Sequence, residues 1–341
     1  MLKIGIVGVG GMGSIHVNYY ARLEKEGFPI KLVAMCDIRK ERLDGSDIKI
    51  NISTGTNDSI GDGVGKYTSF DDMIAKEELD AIDVALPTYL HAEYSIKSME
   101  NGKHVFCEKP MAINADECQK MIDTSKRTDK ELMIGQCLRF WPMYAEVKRA
   151  VEDGRYGKVL CAYFYRGGAL PSWSWDNWML TKEKSGGCVL DQHVHDVDFI
   201  NYLFGMPEYV SSSGKTLCPG SGYDCVSTNY HYKDGMVINA QDDWTLSGAY
   251  GFGMCYRISF EKGFMVLNSD GTTMFGTDDG SIDKPEMGDT DGYYNEMKYF
   301  YNAIMNDTPI EIARPESTMA SVRIAEAEIK SADKKGELVK P

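Results

Sequence analysis

The chain has 341 residues, of which 43% are hydrophobic and 26% are charged, and its formal net charge is −14. This length predicts two domains, each with enough apolar residues for its own core. The acidic balance argues against nucleic acid or an anionic membrane as a partner, and no apolar run approaches the length of a membrane span.

The first predicted elements enclose a glycine-rich turn. Residues 1–7 form an apolar strand, and a helix is predicted over residues 14–26. The turn between them consists of Gly8, Val9, Gly10, Gly11, Met12 and Gly13. In this G-x-G-x-x-G pattern Gly8 allows a tight turn, Gly10 lets the backbone approach a pyrophosphate, and Gly13 lets the helix pack on the strand. The free N–H groups of the helix start complete the cradle, which predicts a dinucleotide-binding fold.

A second predicted strand, residues 31–36, ends at Asp37, which lies 37 − 13 = 24 residues beyond Gly13. This is close to the spacing of the carboxylate that binds the adenosine ribose. A carboxylate accepts hydrogen bonds from a free 2′-OH and repels a 2′-phosphate, which favours NAD over NADP. Arg39 weakens that preference, because it could serve a phosphate or stack on adenine. Asp37 could instead only cap a helix that begins near Arg39.

The rest of the first third alternates strands and helices. Residues 54–65 are polar and glycine-rich, which predicts a loop. The further predicted elements are a helix at 70–76, a strand at 81–86, a helix at 91–101, a strand at 104–107, a helix at 114–128 and a strand at 131–136. Residues 1–130 therefore predict an NAD-binding Rossmann domain with a doubly wound sheet of five or six parallel strands.

The second part of the chain has strands joined by turns, and Asp234-Gly235 is a hairpin signal. The predicted strands are 160–166, 209–215, 224–233, 236–246, 253–261 and 265–268, and the predicted helices are 189–204, 291–306 and 315–334. Residues 131–341 therefore predict an α+β domain for substrate binding, with a large open, mostly antiparallel sheet. A terminal helix can pack back on the Rossmann domain. An open sheet face needs cover, which predicts a homodimer or homotetramer through this sheet.

The nine cysteines are scattered, and no C-x-x-C pair occurs. An odd number at irregular spacing favours a reducing compartment over a disulfide framework. The first residues enter a strand without the layout of a signal peptide. We therefore expect a cytoplasmic protein.

Glu108, Lys109 and Pro110 follow a predicted parallel strand at its carboxyl end, the edge at which open α/β sheets bind ligands. A lysine there can reach a substrate hydroxyl and stabilise a developing alkoxide. The alternative is a surface lysine on a loop.

Asp191 and His195 are four residues apart and share one face of the predicted helix. His195 would take the hydroxyl proton, while Asp191 binds substrate or orients the imidazole. The alternative is that Asp191 caps the helix and His195 is a core histidine. Cys188 and His193 add possible zinc ligands, but His193 and His195 face different directions on a helix, so no metal is expected.

A tryptophan-rich segment precedes this helix. Aromatic faces suit stacking against a sugar or the nicotinamide, and the polar residues between them could bind hydroxyls. Core or interface packing is the alternative. The segment comprises Trp173, Ser174, Trp175, Asp176, Asn177 and Trp178, of which Trp178 is the best candidate for a pocket.

Together these motifs resemble those of the Gfo/Idh/MocA oxidoreductase family over nearly the whole chain. The motif residues are the glycine turn, Cys36-Asp37, Ala85-Leu86-Pro87-Thr88 with His91, Glu108-Lys109-Pro110, Arg139-Phe140-Trp141-Pro142, Gly186-Gly187, Asp191 and His195. The resemblance implies a Rossmann domain, an open-sheet domain used in dimer or tetramer contacts, and catalysis by Lys109, Asp191 and His195.

The resemblance also assigns binding residues. We expect the cofactor at Gly8, Gly10, Gly11, Met12, Gly13, Asp37, Arg39, Leu86, Pro87, His91, Glu108 and Lys109. We expect substrate at Lys109, Arg166, Trp178, Asp191, His193 and His195. Two departures stand out: His193 replaces a residue that is usually small, which brings an extra imidazole into the pocket or its rim, and residues 43–65 are more polar than the usual second helix.

The leading hypothesis is an NAD-dependent dehydrogenase acting on the CH–OH group of a sugar, sugar derivative or cyclitol. The alternative is an NAD-requiring glycoside-cleaving enzyme that oxidises C3, eliminates the aglycone and reduces the ring again. A non-catalytic sensor is a third hypothesis, and the presence of Lys109, Asp191 and His195 argues against it.

Overall fold

The computed structural model describes residues 1–44, 63–246 and 248–341. They form two compact units: unit 1 comprises residues 1–137 and 292–319, and unit 2 comprises residues 138–291 and 320–341. Most of the loop predicted at 54–65, namely residues 54–62, lies outside the described residues. Among the described residues, no helix combines the length and the apolar character needed to cross a membrane.

Unit 1 contains a six-stranded parallel sheet in the order β3-β2-β1-β4-β5-β6, as the doubly wound prediction requires. Its strands are β1 (Leu2–Val7), β2 (Ile30–Cys36), β3 (Gly65–Tyr67), β4 (Ala81–Val84), β5 (His104–Glu108) and β6 (Leu132–Gly135). The order reverses between β1 and β4. The carboxyl ends of these two strands therefore flank the crevice where doubly wound sheets bind ligands.

Side-chain caps fix the start of some helices of unit 1. Asn114 accepts the backbone N–H of Glu117 at 2.9 Å and starts one helix, which ends at Asp129 in the left-handed region (φ 54°). The helices are α1 (Gly11–Lys25), α2 (Lys40–Leu43), α3 (Phe70–Lys76), α4 (His91–Glu100), α5 (Ala115–Thr128) and α9 (Gly292–Met305). The long helix α10 (Pro315–Asp333) begins in unit 1 and continues in unit 2 from residue 320.

Unit 2 contains an eight-stranded sheet in the order β14-β13-β12-β11-β7-β10-β9-β8. All neighbours pair antiparallel except β7 and β10, which confirms a mostly antiparallel sheet. The strands are β7 (Val159–Gly168), β8 (Tyr209–Lys215), β9 (Cys225–His231), β10 (Val237–Asp243), β11 (Phe252–Phe260), β12 (Gly263–Leu267), β13 (Thr273–Thr277) and β14 (Ile282–Asp283). The helices are α6 (Pro142–Asp153), α7 (Lys182–Ser185) and α8 (Val194–Phe204), and a π-helical turn (Val189–His193) runs directly into α8.

The core of unit 2 is aromatic and lies on one face of the sheet. Tyr144 of α6 meets Phe199 of α8 edge to face at 4.9 Å and Tyr256 of β11 at 5.2 Å. Alternate residues of β10, such as Ile238 and Ala240, are buried against this core. The helices thus hold the π-helical turn against the sheet.

The two units differ from the predicted division at residue 130. Strand β6 pairs with β5, with Val105 opposite Leu132, so residues 132–135 complete the parallel sheet. Residues 292–319 also belong to unit 1, where the ring of Tyr294 meets Tyr19 edge to face at 6.1 Å. Unit 1 therefore includes all of α9 and the beginning of α10, as far as residue 319.

Candidate active site

The glycine turn of unit 1 has the close packing and the open surface that a pyrophosphate cradle needs. A Cβ atom on Gly13 would lie 1.9 Å from the carbonyl oxygen of Gly8, so only glycine allows α1 to approach β1 this closely. A Cβ atom on Gly10 would meet nothing within 4 Å, which leaves space beside the backbone. Helix α1 has no side-chain cap and no acidic residue in its first turn, so its N–H groups favour an anion. The turn fits the phosphates of a dinucleotide.

Asp37 follows β2 and is 8% exposed. One carboxylate oxygen accepts the backbone N–H of Val9 at 2.9 Å, and the other accepts the N–H of Arg39 at 2.9 Å. Asp37 therefore ties the glycine turn to the start of α2. Each oxygen keeps a further lone pair, which is the acceptor that a ribose hydroxyl requires. The Arg39 guanidinium lies 3.8 Å from Asp37, where it can neutralise the carboxylate.

His91 at the start of α4 joins two loops at the same edge of the sheet. Its Nε2 lies 2.7 Å from the carbonyl oxygen of Leu86, which precedes Pro87, and its Nδ1 lies 2.8 Å from that of Pro110. Burial lowers the pKa of His91, against the effect of the two carbonyl groups. His91 thus fixes the loop after β4 relative to the loop after β5, whose Lys109–Pro110 peptide is cis.

A buried ion-pair cluster beneath these loops escaped the sequence analysis. His16 of α1 places Nδ1 2.9 Å from Asp83 of β4 and Nε2 3.1 Å from Glu108 of β5. The Nε2 contact has ion-pair distance but lacks the alignment of a hydrogen bond. Burial opposes the charge on His16, but the two carboxylates outweigh it and raise the pKa of the imidazole. The sequence offered one signal for this cluster: His16 is a polar residue on the buried face of the helix predicted at 14–26.

The same cluster includes Glu296 of α9. Atoms of His16, Glu108 and Glu296 lie within 4.8 Å of one another, a spacing that metal sites also show. Here both ring nitrogens of His16 already face carboxylate oxygens, so ion pairing accounts for this arrangement.

In unit 2 the π-helical turn carries Asp191 and His193, and His195 is the second residue of α8. Asp191 is 8% exposed and His195 is partly exposed. The structure thus places the predicted acid and base of unit 2 on one continuous helical segment.

His193 lies in the interior of unit 2. It is fully buried, with Nε2 3.4 Å from Glu328 and 3.4 Å from the hydroxyl of Tyr230, and Nδ1 3.9 Å from Asp242. Burial would lower the pKa of His193, but the charge and hydrogen bond of Glu328 together with the charges of Asp242 and Asp196 outweigh it, and the pKa is raised. These contacts place His193 in the interior of unit 2, whereas the sequence predicted it in the substrate pocket or at its rim.

Arg166 of β7 is also buried, at 4% exposure. Its guanidinium makes two contacts with Asp196 of α8, at 3.2 and 3.3 Å, and a third with the sulfur of Met254 at 3.4 Å. Arg166 therefore connects the sheet to α8 one residue after His195.

Trp178 is half-buried in a 3-10 segment, Trp175–Leu180. Asp176 and Asn177 before it adopt left-handed backbone angles (φ 53° and 49°), and Asp176 pairs with Lys184 at 2.9 Å. Trp173 and Trp175 are 46% and 42% exposed. Their aromatic surface is therefore available for stacking.

The structure thus brings the predicted cofactor residues together at one edge of the unit 1 sheet. The glycine turn follows β1, Asp37 follows β2, Leu86 and Pro87 follow β4, and Glu108 ends β5. In a parallel sheet the carboxyl ends of the strands share one edge, and a dinucleotide lies across it. The donor set, the open cradle and the ribose carboxylate fit NAD.

Comparison with known proteins agrees with this geometry. Residues 2–136 match the family described as "Oxidoreductase family, NAD-binding Rossmann fold", and residues 144–266 match the "GFO/IDH/MocA C-terminal domain". The fold and cofactor site define an NAD-binding oxidoreductase. The chain belongs to the Gfo/Idh/MocA family.

Several relatives are similar to most of the chain. A 2,7-anhydro-N-acetylneuraminate hydratase from Mediterraneibacter gnavus is 28% identical over 368 residues, covering 96% of this chain and 93% of the relative. A myo-inositol 2-dehydrogenase from Thermotoga maritima is 26% identical over 340 residues, covering 94% and 93%. An uncharacterized oxidoreductase from Streptococcus pneumoniae is 30% identical over 217 residues, covering 63% of this chain and 53% of the relative, about half its length.

Among solved structures, levoglucosan dehydrogenase in complex with NADH and levoglucosan has a TM-score of 0.84 with this chain. The two are 20% identical, and the alignment covers 99% of each chain. At this level of identity the similarity shows a shared fold.

Proposed function

We propose that this protein is an NAD-dependent dehydrogenase that oxidises or reduces one hydroxyl-bearing carbon of a sugar, sugar derivative or cyclitol. The observation that carries the proposal is the place of Lys109 in unit 1. It follows β5 at the same sheet edge as the glycine turn and Asp37, where an ammonium group belongs in alcohol oxidation.

In this proposal NAD supplies the hydride acceptor, and the side chains handle the substrate hydroxyl. Lys109 binds the hydroxyl oxygen, and its positive charge stabilises the alkoxide that forms as the proton leaves. His195 accepts that proton, and Asp191 orients its ring or binds a neighbouring hydroxyl. In the reverse direction His195 returns the proton to the carbonyl oxygen.

Trp178 would supply an apolar face for the C–H surface of the substrate ring. The buried contacts of Arg166 with Asp196, and of His193 with Glu328, support indirect roles for both residues. They would hold the segment that carries Asp191 and His195 rather than select substrate hydroxyls by themselves.

The test is reduction of NAD by a panel of sugars, sugar derivatives and inositols, followed at the NADH absorbance. For an active substrate, Lys109→Met and His195→Ala should each lower kcat/KM by about 100-fold or more, while NADH binding stays within about threefold. The matched controls are Lys97→Met, on an exposed part of α4, and His231→Ala, on an exposed position of β9. Near-normal turnover by Lys109→Met or His195→Ala contradicts these roles.

A second candidate is a glycoside-cleaving enzyme that uses NAD transiently. The similarity to a 2,7-anhydro-N-acetylneuraminate hydratase over most of the chain favours it, as does 29% identity over 160 residues to a glycosyl hydrolase family 109 protein from Shewanella baltica. Release of p-nitrophenol from aryl glycosides without accumulation of NADH would support this candidate. Net NADH formation from free sugars would support the dehydrogenase.

We also propose that the protein acts in the cytoplasm as a homodimer or homotetramer. All nine cysteines are free thiols, which suits a reducing compartment. The sheet face of unit 2 opposite the core leaves Tyr163, Tyr165, Asn239 and Gln241 partly exposed on its central strands β7 and β10. Light scattering should report a dimer or tetramer, and Tyr163→Glu should shift it toward monomer. A monomeric wild-type protein contradicts the proposal.

A further inference from the structure

The buried cluster under the cofactor edge of unit 1 connects three elements to the loop that carries Lys109. His16 belongs to α1, which begins at the glycine turn, and it contacts Asp83 of β4 and Glu108 of β5. His16 and Asp83 are fully buried, and Glu108 is 4% exposed. Burial separates these side chains from bulk solvent, so loss of one contact leaves a buried charge without its partner.

Glu108 uses its two carboxylate oxygens for two different tasks. Oε1 faces the Nε2 of His16 at 3.1 Å, and Oε2 accepts the backbone N–H of Lys109 at 3.0 Å. The orientation of one carboxylate therefore couples the imidazole to the backbone of Lys109. On the other side of the ring, Asp83 receives Nδ1 at 2.9 Å and the hydroxyl of Tyr20 at 2.8 Å.

We propose that His16 is a positioning residue, an imidazolium held between Asp83 and Glu108 that fixes the Glu108 carboxylate and through it the placement of Lys109. The inference rests on the proposed role of Lys109 in catalysis. The independent evidence for the inference is the chain of contacts from Asp83 through His16 and Glu108 to the backbone of Lys109. His16 touches neither substrate nor cofactor in this proposal.

The charges around the ring support this reading. Carboxylates face His16 from β4 (Asp83), from β5 (Glu108) and, within 4.8 Å, from α9 (Glu296). Burial opposes ionisation of Glu108, but His16 and then Lys109 and His91 lower the pKa of this carboxyl group. Without the positive charge of His16, the effect of burial on Glu108 is no longer outweighed. The pKa of Glu108 then rises, and its carboxyl group takes up a proton at a higher pH.

Two substitutions at His16 separate positioning from packing. The amide nitrogen of asparagine can replace Nδ1 and keep the Asp83 contact, whereas that of glutamine can replace Nε2 and keep the Glu108 contact. His16→Asn should lower kcat about tenfold or more, with NADH binding within about threefold, since a misplaced group costs catalysis more than binding. The acid limb of its kcat/KM profile should move up by about one pH unit or more. His16→Gln keeps a donor for Glu108 but not the positive charge, so its kcat at pH values above the acid limb should stay within about threefold of wild type, while the acid limb itself moves up as in His16→Asn. Tyr20→Phe, which removes only the bond to Asp83, should stay within about twofold.

Equal losses in His16→Asn and His16→Gln with an unmoved acid limb would overturn the proposal and leave His16 a packing role. Two further measurements do not require enzyme activity. They therefore test the role of His16 separately from the proposed function. In ¹⁵N spectra of the six-histidine wild-type chain, His16 should show two protonated ring nitrogens at pH 7.5. A crystal structure of His16→Asn should show Glu108 rotated away from the N–H of Lys109. A neutral His16 ring, or an unmoved Glu108, overturns the proposal even if no substrate is found.

Discussion

Asp242 makes the stability of unit 2 depend on pH. This carboxyl group is fully buried on β10, and burial raises its pKa from 3.8 to about 7, although the charge of His193 works in the opposite direction. Its Oδ1 accepts the side-chain N–H of Gln192 at 2.5 Å, and Oδ2 lies 3.9 Å from His193. Asp242→Asn keeps an acceptor for Gln192 and removes the ionisation.

The sign follows from linkage between protonation and folding. Because the pKa is higher in the folded state, the stability contributed by the protonated group is complete below pH 3.8 and is lost as the pH rises through about 7. Over the whole range the loss is about 4 kcal/mol, at 1.36 kcal/mol per pKa unit. Between pH 5 and pH 8 it is roughly 2–3 kcal/mol. Asp242→Asn should gain that much stability relative to wild type over the same interval.

Tryptophan fluorescence isolates this effect. All five tryptophans belong to unit 2, so guanidinium unfolding followed by tryptophan emission reports on this unit. The indole N–H of Trp244 also donates to Gln192 at 2.9 Å, next to the substituted side chain. The quantity to compare is the free energy of unfolding of the variant minus that of wild type, at pH 5 and at pH 8.

The matched control is Asp243→Asn, at the next position of the same strand. Asp243 is half-buried and its Oδ1 accepts the N–H and hydroxyl of Thr245, which an asparagine oxygen can also do. The control removes the same charge one position along the strand without removing a fully buried carboxyl group, so it should not reproduce the gain of roughly 2–3 kcal/mol expected for Asp242→Asn. If Asp242→Asn shows a pH-independent difference, the reasoning about Asp242 is refuted.

Three further substitutions test the cofactor site and the core of unit 2. Gly13→Ala forces a Cβ against the Gly8 carbonyl and should weaken NADH binding about tenfold or more in a fluorescence titration; an unchanged Kd contradicts the cradle. Asp37→Ala should lower NAD affinity by about tenfold or more and raise the NADP-to-NAD ratio of kcat/KM, whereas an unaltered ratio argues against the ribose role. Asp198→Asn leaves the buried Arg139 guanidinium, now bonded at 2.8 and 2.7 Å, without its charge partner, so unit 2 should lose about 3–5 kcal/mol of unfolding free energy. A loss below about 1 kcal/mol for Asp198→Asn would mean that this ion pair does not stabilise the core.

The parallel sheet could be predicted because its signals are local. Short apolar strands alternate with helices, and the helix predicted at 114–128 is observed as α5, Ala115–Thr128. The observed units differ from the predicted boundary at residue 130, because no local signal shows that residues 292–319 return to unit 1. Pairing across long stretches of chain depends on tertiary packing.

Helix α6 was missed although its signals are present. Pro142 occupies the first turn, Gly154 ends the helix with φ 67°, and Tyr144, Val147 and Ala150 repeat every three residues on the buried face. Strand β14 has only two residues, Ile282 and Asp283, neither of them buried, so it offers no periodic pattern to read.

The buried clusters could not be predicted for a different reason. His16 and Asp83 are 67 residues apart in the sequence, and His193 and Glu328 come from separate helices of unit 2. Each of these side chains alone is compatible with a surface position or with a ligand-binding site. Only the fold shows that each unit buries one imidazole among carboxylates.

The helix geometry between residues 189 and 204 relates the directions of Asp191, His193 and His195. The π-helical turn, Val189–His193, has roughly 4.4 residues per turn instead of 3.6. Asp191 and His195, four residues apart, then differ by only about 30–40° in direction in either type of helix. His193, two residues from each, points about 160–200° away from them in both geometries. Its contacts with Glu328 and Tyr230 in the interior are therefore what its register requires if Asp191 and His195 serve the substrate.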